Sequence, residues 1–491
     1  MIPVLRSEWT KFRTVRGWVA GSIVAVLLTV GVGLLGAAGT VRSCEGPQGN
    51  VCPETPLGPG GQAVNDRFSF YHQALSGDGS ITAKVAEVSG VITYPPPDHD
   101  KIVPGVVPWA KVGLMVKQDL RQGSAYSAVM VTGGHGTRVQ DDFVNDHAAG
   151  RDPWLRLTRT GATLTASTSP DGTSWRVVAE KTLSGPALIG LFAASPCDVT
   201  LSQGALGGTI GACRLTNVTA AFDDVTVEGA SGGWTHDDVG GEPGAPSLSV
   251  GSARAWGTTI QLTGSGDISP AGMEGGAVVE RTLTGASIGL IAVIVVGVLF
   301  MTAEYRRGLV KATMAATPGR TGVLLAKAAV IAAVTFAGGL VAAAVAVPVG
   351  IRLMRDRNND IAPITALTEA RVIVGTAALL AVTAVLALAL GALFRRSAAA
   401  VITAIALVLL PQLLATASVI PSSAAQWLLR VTPAAGFAIQ QSIPAYPQVE
   451  DYYIPALGYY PLPPLGGFAV MCAYAAAALV AAIVLLRRRD A

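Results

Sequence analysis

Three aspartates, Asp141, Asp142 and Asp146, crowd beside His147. Paired carboxylates are what glycoside hydrolysis uses, one to protonate the leaving oxygen and one to attack or to activate water. The spacing does not commit to that chemistry. No Glu-x-Asp-x-x-Glu strand is present, and the plain reading of the cluster is a solvated acidic loop. The same oxygens, or those of Asp98 and Asp100, are the donors a Ca²⁺ site takes, without a ligand spacing that selects a metal. Trp109, Trp154 and Trp175 have ring faces that stack on sugars, and strand contexts that equally suit a core. Trp109, Trp154, Asp141 and Asp142 are thus candidate ligand contacts, and no residue is assigned as catalytic or metal-binding. Asn217-Val218-Thr219 matches a glycosylation sequon, a pattern short enough to arise by chance.

The cysteines carry a second kind of chemistry. Cys44, Cys52, Cys197 and Cys213 lie in a polar block, and Cys472 lies in an apolar one. An even number in a polar domain suits an oxidising exterior. Proximity favours Cys44–Cys52 and Cys197–Cys213, although four cysteines allow three pairings. Nucleotide chemistry has no motif: no Gly-x-x-x-x-Gly-Lys-Ser/Thr occurs, so ATP and its Mg²⁺, if used, sit on another chain and this one has no cofactor of its own.

The elements that position these residues follow from a divided hydrophobicity. Mean hydropathy is +0.49 and 51% of residues are apolar, which excludes an ordinary soluble protein. Stretches of spanning length fall near 17–39, 284–303, 322–349, 370–394, 397–420 and 466–486. This predicts an α-helical polytopic membrane protein of six transmembrane helices. Between helices 1 and 2 lies a block with 24 acids and 15 bases from Val41 to Glu280, so the rest of the chain carries about +12. Those outer bases cluster at span ends, which argues for topology signals and against a nucleic-acid surface.

Arg6, Lys11, Arg13 and Arg16 precede the first span. Arg306, Arg307, Lys311, Arg320 and Lys327 lie in or beside the loop after the second, Arg395 and Arg396 follow the fourth, and Arg487, Arg488 and Arg489 follow the last. The positive-inside rule then puts both termini in the cytoplasm and the acidic block outside the plasma membrane. Arg352, Arg355, Arg357 and Arg371 fit less well, since they fall outside. The spans otherwise hold almost no charge, which argues against an ion-coupled carrier.

Period-two alternation recurs from about Phe68 to Val227, with strands expected at Ser80–Val88, Ala110–Val116, Ser124–Val131, Trp154–Thr160, Thr163–Ser167, Arg176–Thr182, Leu188–Ala194 and Asp223–Glu228. Many short strands between turn residues predict an all-β sandwich inserted between helices 1 and 2. The expected organisation is 1–40 for an interfacial helix and the first span, 41–65 for a Cys-containing linker, 66–229 for the sandwich, 230–282 for a Gly/Ser/Pro-rich tether and 283–491 for five more spans. A short strand pair at Ser247–Ser252 and Thr258–Thr263 is expected within the tether. Leu5, Trp9 and Phe12 recur at helical spacing and suit a helix lying in the membrane interface. An apolar exterior region at 421–464 is expected to hold a re-entrant or amphipathic helix broken at Pro433.

Two resemblances attach to these residues. Trp109–Val116, Trp154–Leu157, Ser169–Trp175 and Phe222–Val227 resemble the concanavalin/laminin-G-like jelly-roll modules over about 160 residues. That resemblance implies a fold and no function, because such sandwiches host glycosidases, lectins and spacers alike.

The run Glu304-Tyr305-Arg306-Arg307-Gly308-Leu309-Val310-Lys311, continuing to Pro318-Gly319-Arg320, joins with Leu5–Thr14 and Leu390–Ser397 to resemble the permease subunit of an actinobacterial ABC-2-type ABC transporter. The resemblance implies that 304–320 forms a coupling helix docking on an ATPase subunit, with Glu304, Tyr305, Arg306, Arg307, Lys311 and Arg320 at the contact. It also implies a homodimer, or a heterodimer with a second permease, among membrane lipids. An apolar pathway would suit a hydrophobic or amphiphilic export substrate. Two other readings remain open: a sensor or resistance module whose sandwich binds a glycan, peptide or antibiotic, and a membrane-tethered carbohydrate-active enzyme.

Overall fold

The computed structural model describes residues 2–42, 54–93, 101–203, 209–241, 250–272, 275–306, 320–417, 419–450 and 453–489. Its α-helices are α1 (Ile2–Thr14), α2 (Arg16–Gly39), α3 (Gly285–Arg306), α4 (Arg320–Arg355), α5 (Ala366–Phe394), α6 (Ser397–Thr416), α7 (Ser422–Val431) and α8 (Pro464–Arg489). All but α1 and α7 are long and apolar enough to cross a membrane, which makes six, and the β domain is inserted between the first and the second. The expected spans are displaced by a few residues at their ends. α4 runs on to Arg355, where Arg352 and Arg355 complement the negative end of the helix dipole. α6 stops at Thr416, ahead of Pro421, rather than at 420.

α5 is the central helix. In its most apolar window 72% of residues are buried, against 17% for α2 and 22% for α8, so those two leave broad apolar faces uncovered. α2 and α3 cross backbone to backbone. A Cβ on Gly33 would lie 2.3 Å from the Thr282 carbonyl oxygen, and one on Gly285 would lie 2.2 Å from that of Thr29. Only glycine admits this approach.

The inserted domain is a sandwich of two antiparallel sheets. The first runs in spatial order Arg176–Thr182, Thr163–Ser169, Trp154–Thr160, Gly79–Thr93, Thr216–Glu228, Thr259–Gly264, Ser252–Trp256, with Ile102–Pro104 added beside Gly79–Thr93. The second runs Ser231–Val239, Phe68–Leu75, Ala187–Ala194, Lys111–Lys117, Tyr126–Thr132, Thr137–Asp141, Asn145–Ala148. Between the sheets lie Ile81, Val112, Leu114, Leu157, Leu191, Phe222 and Leu262.

The expected tether is corrected. Residues 231–239 pair with Phe68–Leu75, and 252–256 and 259–264 extend the first sheet, so these three segments are sandwich strands. The expected pair at 247–252 and 258–263 is present, shifted to Ser252–Trp256 and Thr259–Gly264. Composition misled at 231–239 because its partner, Phe68–Leu75, lies far away in sequence, where local Gly and Ser content is no guide.

The centre of the second sheet is buried on both faces. Every residue of Lys111–Lys117 is buried. Its outer face carries Phe68, Phe70, Met115, Tyr126, Met130 and Phe192, and a two-stranded ribbon of Val64–Asp66 with Ile268–Pro270 adds Val64 and Ile268 to that cluster. Those two strands are also the stems leading from α2 and towards α3. Both stems therefore pack directly on the sheet.

Further bonds join the sandwich and its stems to the helical part. The Thr55 N–H donates to Asp360 Oδ2 at 2.7 Å, and Ala277 bridges to Ile361. Gln448 Nε2 donates to the Val144 carbonyl at 3.1 Å. The region 421–464 folds much as expected: α7 is amphipathic, Pro433 follows its end, and a buried 3-10 segment occupies Pro433–Gln440. Arg371 donates to the Ile439 and Gln441 carbonyls at 3.2 and 2.7 Å, which satisfies the segment's end.

Candidate functional site

Among the described residues a four-membered cluster of charges in the helical part is built by α1, α3 and α4. Glu304 sits in the last turn of α3, and Lys327 lies two turns into α4. Between these helices runs 307–319, outside the described residues. α1 contributes Glu8 and Lys11, one turn apart on one face. Lys327 Nζ meets Glu8 Oε2 at 2.6 Å and Glu304 Oε1 at 2.8 Å. Lys11 Nζ meets Glu8 Oε1 at 2.7 Å and Glu304 Oε1 at 3.1 Å. Each lysine bridges both glutamates, so the four side chains close a neutral ring.

Burial makes this ring consequential. Lys327 is fully buried and Glu8 is 1% exposed. Such charges are held only where partners replace water. Burial alone would depress the Lys11 ammonium, but the facing Glu8 and Glu304 outweigh it and hold the group above its ordinary range. Aromatic packing closes the site. Phe300 of α3 meets Phe12 edge-on at 5.4 Å and Trp18 at 5.0 Å, and its ring lies 4.4 Å from Lys327 Nζ. α1 is therefore clamped to the two helix ends that flank 307–319.

The expected residues distribute unevenly over this geometry. Glu304, expected at a contact with another subunit, turns its carboxylate inward to the ring, where Lys11 and Lys327 leave Glu8 alone to balance two positive charges. Tyr305 and Arg306 complete α3 and Arg320 begins α4, while Arg307 and Lys311 lie outside the described residues. The stripe Leu5, Trp9 and Phe12 splits. Phe12 is buried beside Glu8, whereas Leu5 and Trp9 are exposed. The face that docks is offset from the apolar one because ion pairs, as well as hydrophobic contact, hold it.

Glu8 and Lys327 were not singled out from sequence. The available signal was Lys327 itself, the lone charge within the apolar body of α4. The expectation of almost uncharged spans is likewise corrected at their ends. Besides Glu304 and Lys327, Glu280 accepts from the Ser442 N–H and hydroxyl, with Arg371 nearby.

In the sandwich the candidate ligand contacts do not converge. Trp109 is buried, with its ring 3.9 Å from that of His135 at the 132–137 end of a hairpin. Asp141 pairs in register with Asn145 and Ser127 at the other end of the same strands. Trp154 belongs to the opposite sheet, where its ring covers Gly172. Trp175 donates to the Gly172 carbonyl and stacks under Arg156 at 3.8 Å.

The aspartates are spent internally. Asp142 pairs with Lys181, and Asp146 takes two 2.9 Å bonds from Arg138 Nε. Asp141 is buried, which raises its carboxyl despite Ser127 and Lys181. Among the described residues no group of three or more His, Cys, Asp or Glu could hold a metal ion, and Asp98 and Asp100 lie outside them. The Cys197–Cys213 disulfide is present, joining the strands Asp198–Gln203 and Thr209–Arg214 at their open end. Cys44 and Cys52 lie outside the described residues.

Two buried lysines stand on the outer face of the second sheet. Lys117 Nζ meets Asp66 Oδ2 at 2.7 Å, and Lys111 pairs with Asp267 while donating to the Ile268 carbonyl at 3.0 Å. Both carboxylates belong to the stems. The outer face of the second sheet is thus covered by the inserted domain's own stems. No sequence signal marked these lysines as different from edge charges.

No family model matches the chain, and no curated protein matches it. Among solved structures it is similar to a functionally unknown protein from Saccharomyces cerevisiae, at 18% identity over 37% of this chain and 84% of that one, with a TM-score of 0.18. It is also similar to SCP-B, a member of the Eqolisin family of peptidases in complex with the tripeptide Ala-Ile-His, at 10% identity over 41% of this chain and 98% of that one, with a TM-score of 0.23. Likeness at this level transfers no activity.

Proposed function

We propose that the chain is the membrane-spanning permease subunit of an ABC-2-type ABC transporter. It exports a hydrophobic or amphiphilic substrate and is powered by a separate ATPase subunit that carries ATP and Mg²⁺. The termini and 307–319 face the cytoplasm, the sandwich faces outward, and the permease works as a homodimer or with a second permease.

The observation that carries this reading is the closed ring of Glu8, Lys11, Glu304 and Lys327. It joins the interfacial helix to both helices that enter and leave the basic 304–320 segment. A push on that segment would move α1, α3 and α4 as one body, because sliding any of them would expose an unpaired buried charge. A carrier coupled to an ATPase needs such a rigid receiver. Support also comes from the six apolar helices and the basic clusters at their alternate ends.

A second reading is favoured by the clamped stems. A sandwich bonded to several loops of the helical part can relay occupancy by a glycan, peptide or antibiotic, as a sensor or resistance module would.

Reconstitution with the cognate ATPase separates the two. The permease reading expects ATP-dependent movement of an amphiphilic probe, with Lys327→Met cutting movement by tenfold or more while ATP turnover persists. Ligand-dependent ATP turnover without movement would favour the sensor.

A further inference from the structure

A groove of about 400 Å³ runs along α2, enclosed by α1, α3, α4 and α5. Its α2 wall extends from Val19 to Thr29, about 15 Å at the helical rise. The hydroxyls in it are spent on their own helices. Ser22 donates to the Trp18 carbonyl at 2.9 Å, Thr29 to that of Ala25 at 2.8 Å, and Thr335 to that of Ile331 at 2.7 Å. The wall therefore offers apolar surface and nothing to a polar ligand. Width comes from a missing side chain. A Cβ on Gly338 would stand 3.1 Å from Val26 Cγ2, so any larger residue there enters the groove.

One end differs. Arg13 and Trp9 line it. Among the described residues Arg13 has no ion pair or hydrogen bond, because the carboxylates α1 engages, Glu8 and Glu304, are taken by Lys11 and Lys327. The result is an apolar channel of acyl-chain length ending at an unneutralised guanidinium. A guanidinium favours a phosphate through paired, charge-assisted hydrogen bonds. An exposed indole beside it suits headgroup depth.

We propose that this groove binds one anionic phospholipid of the leaflet in which α1 lies, with an acyl chain along α2 and its phosphate on Arg13. The proposal rests on the membrane reading and is independent of ATP-driven transport. The occupant is a lipid rather than a soluble anion, because a free phosphate would leave the apolar length of the groove unused.

The test uses the full chain in nanodiscs of phosphatidylcholine with a minor fraction of phosphatidylglycerol, with retained lipid counted by native mass spectrometry. Wild type should retain about one phosphatidylglycerol per chain in preference to phosphatidylcholine. Arg13→Gln should lower that preference by about tenfold, the scale of losing a charge-assisted bond, and Arg13→Lys should restore part of it. Gly338→Leu should abolish retention. Gly31→Leu, on a face of α2 with nothing within 4 Å, should leave it unchanged. If Gly338→Leu fails to fold, the Arg13 variants decide. Equal retention in wild type and Arg13→Gln, or retention without headgroup preference, overturns the proposal.

Discussion

In the sandwich each buried lysine leans on one carboxylate. Lys117 meets Asp66, Lys111 meets Asp267, and both pairs pin a stem strand to the sheet. In the helical bundle two lysines and two glutamates share one ring, and each charge has two opposite neighbours. The first arrangement is brittle: removing one partner strands the other in an apolar cluster. The second is redundant, since a lost member leaves its neighbours a remaining partner. Brittle pairs suit a junction that must not open. A shared ring suits one whose helices move together, because its four bonds tie all three helices to one another.

The comparison breaks most visibly at Lys117. Lys117→Met should cost about 3–5 kcal/mol, the scale of stranding a buried charge, read as a fall in the thermal transition of the full chain's β signal. Adding Asp66→Asn should recover much of it, because the stranded charge is removed while an acceptor for the Gly123 N–H is kept at 2.8 Å. Failure to recover would mean that the lysine acts through packing rather than charge.

In the ring, Lys327→Met should cost less, about 2–3 kcal/mol, since Lys11 still faces both glutamates. Lys11→Met should cost least of the three, about 1 kcal/mol, because a third of its side chain is exposed. A loss for Lys327→Met as large as that for Lys117→Met would show that the ring is not shared.

The two regions differ as much in what their residues disclose beforehand. The spans were legible because bilayer length demands unbroken apolar runs, and the sandwich strands because short runs with period-two alternation recur between turn residues. Trp154–Thr160 and Arg176–Thr182 match their expected bounds. Two things were hidden. The 231–239 strand, rich in Gly and Asp, is held by Phe68–Leu75, some 160 residues earlier. Lys111, Lys117 and Lys327 give no sign of burial in the sequence because their partners come from distant segments. Charge pairing across a fold leaves no periodicity, so the candidate site was legible as the 304–320 segment and illegible as a ring.

A smaller effect sharpens the sandwich side. Burial raises the Asp141 carboxyl above its unfolded value. The unfolded chain therefore ionises first as pH rises, and Asp141 opposes folding progressively from the ordinary carboxylate range upward through its raised native value. Below that range it contributes nothing. Asp141→Asn should stabilise the domain at neutral pH and change little at pH 3, followed by thermal unfolding at both. The same gain at both pH values would assign the effect to shape instead.

The central claim is that the chain is one part of an ATP-driven machine whose partner docks on the segment framed by the ring. Its most direct measurement is purification from native membranes in mild detergent, with cross-linking mass spectrometry. The account predicts an ATPase subunit bearing a P-loop, cross-linked to 307–319 and to Lys11, and lost when Arg306, Arg307 and Lys311 are replaced by Ser. Recovery of the intact chain with no ATPase, or with one that survives those replacements and cross-links elsewhere, would contradict it.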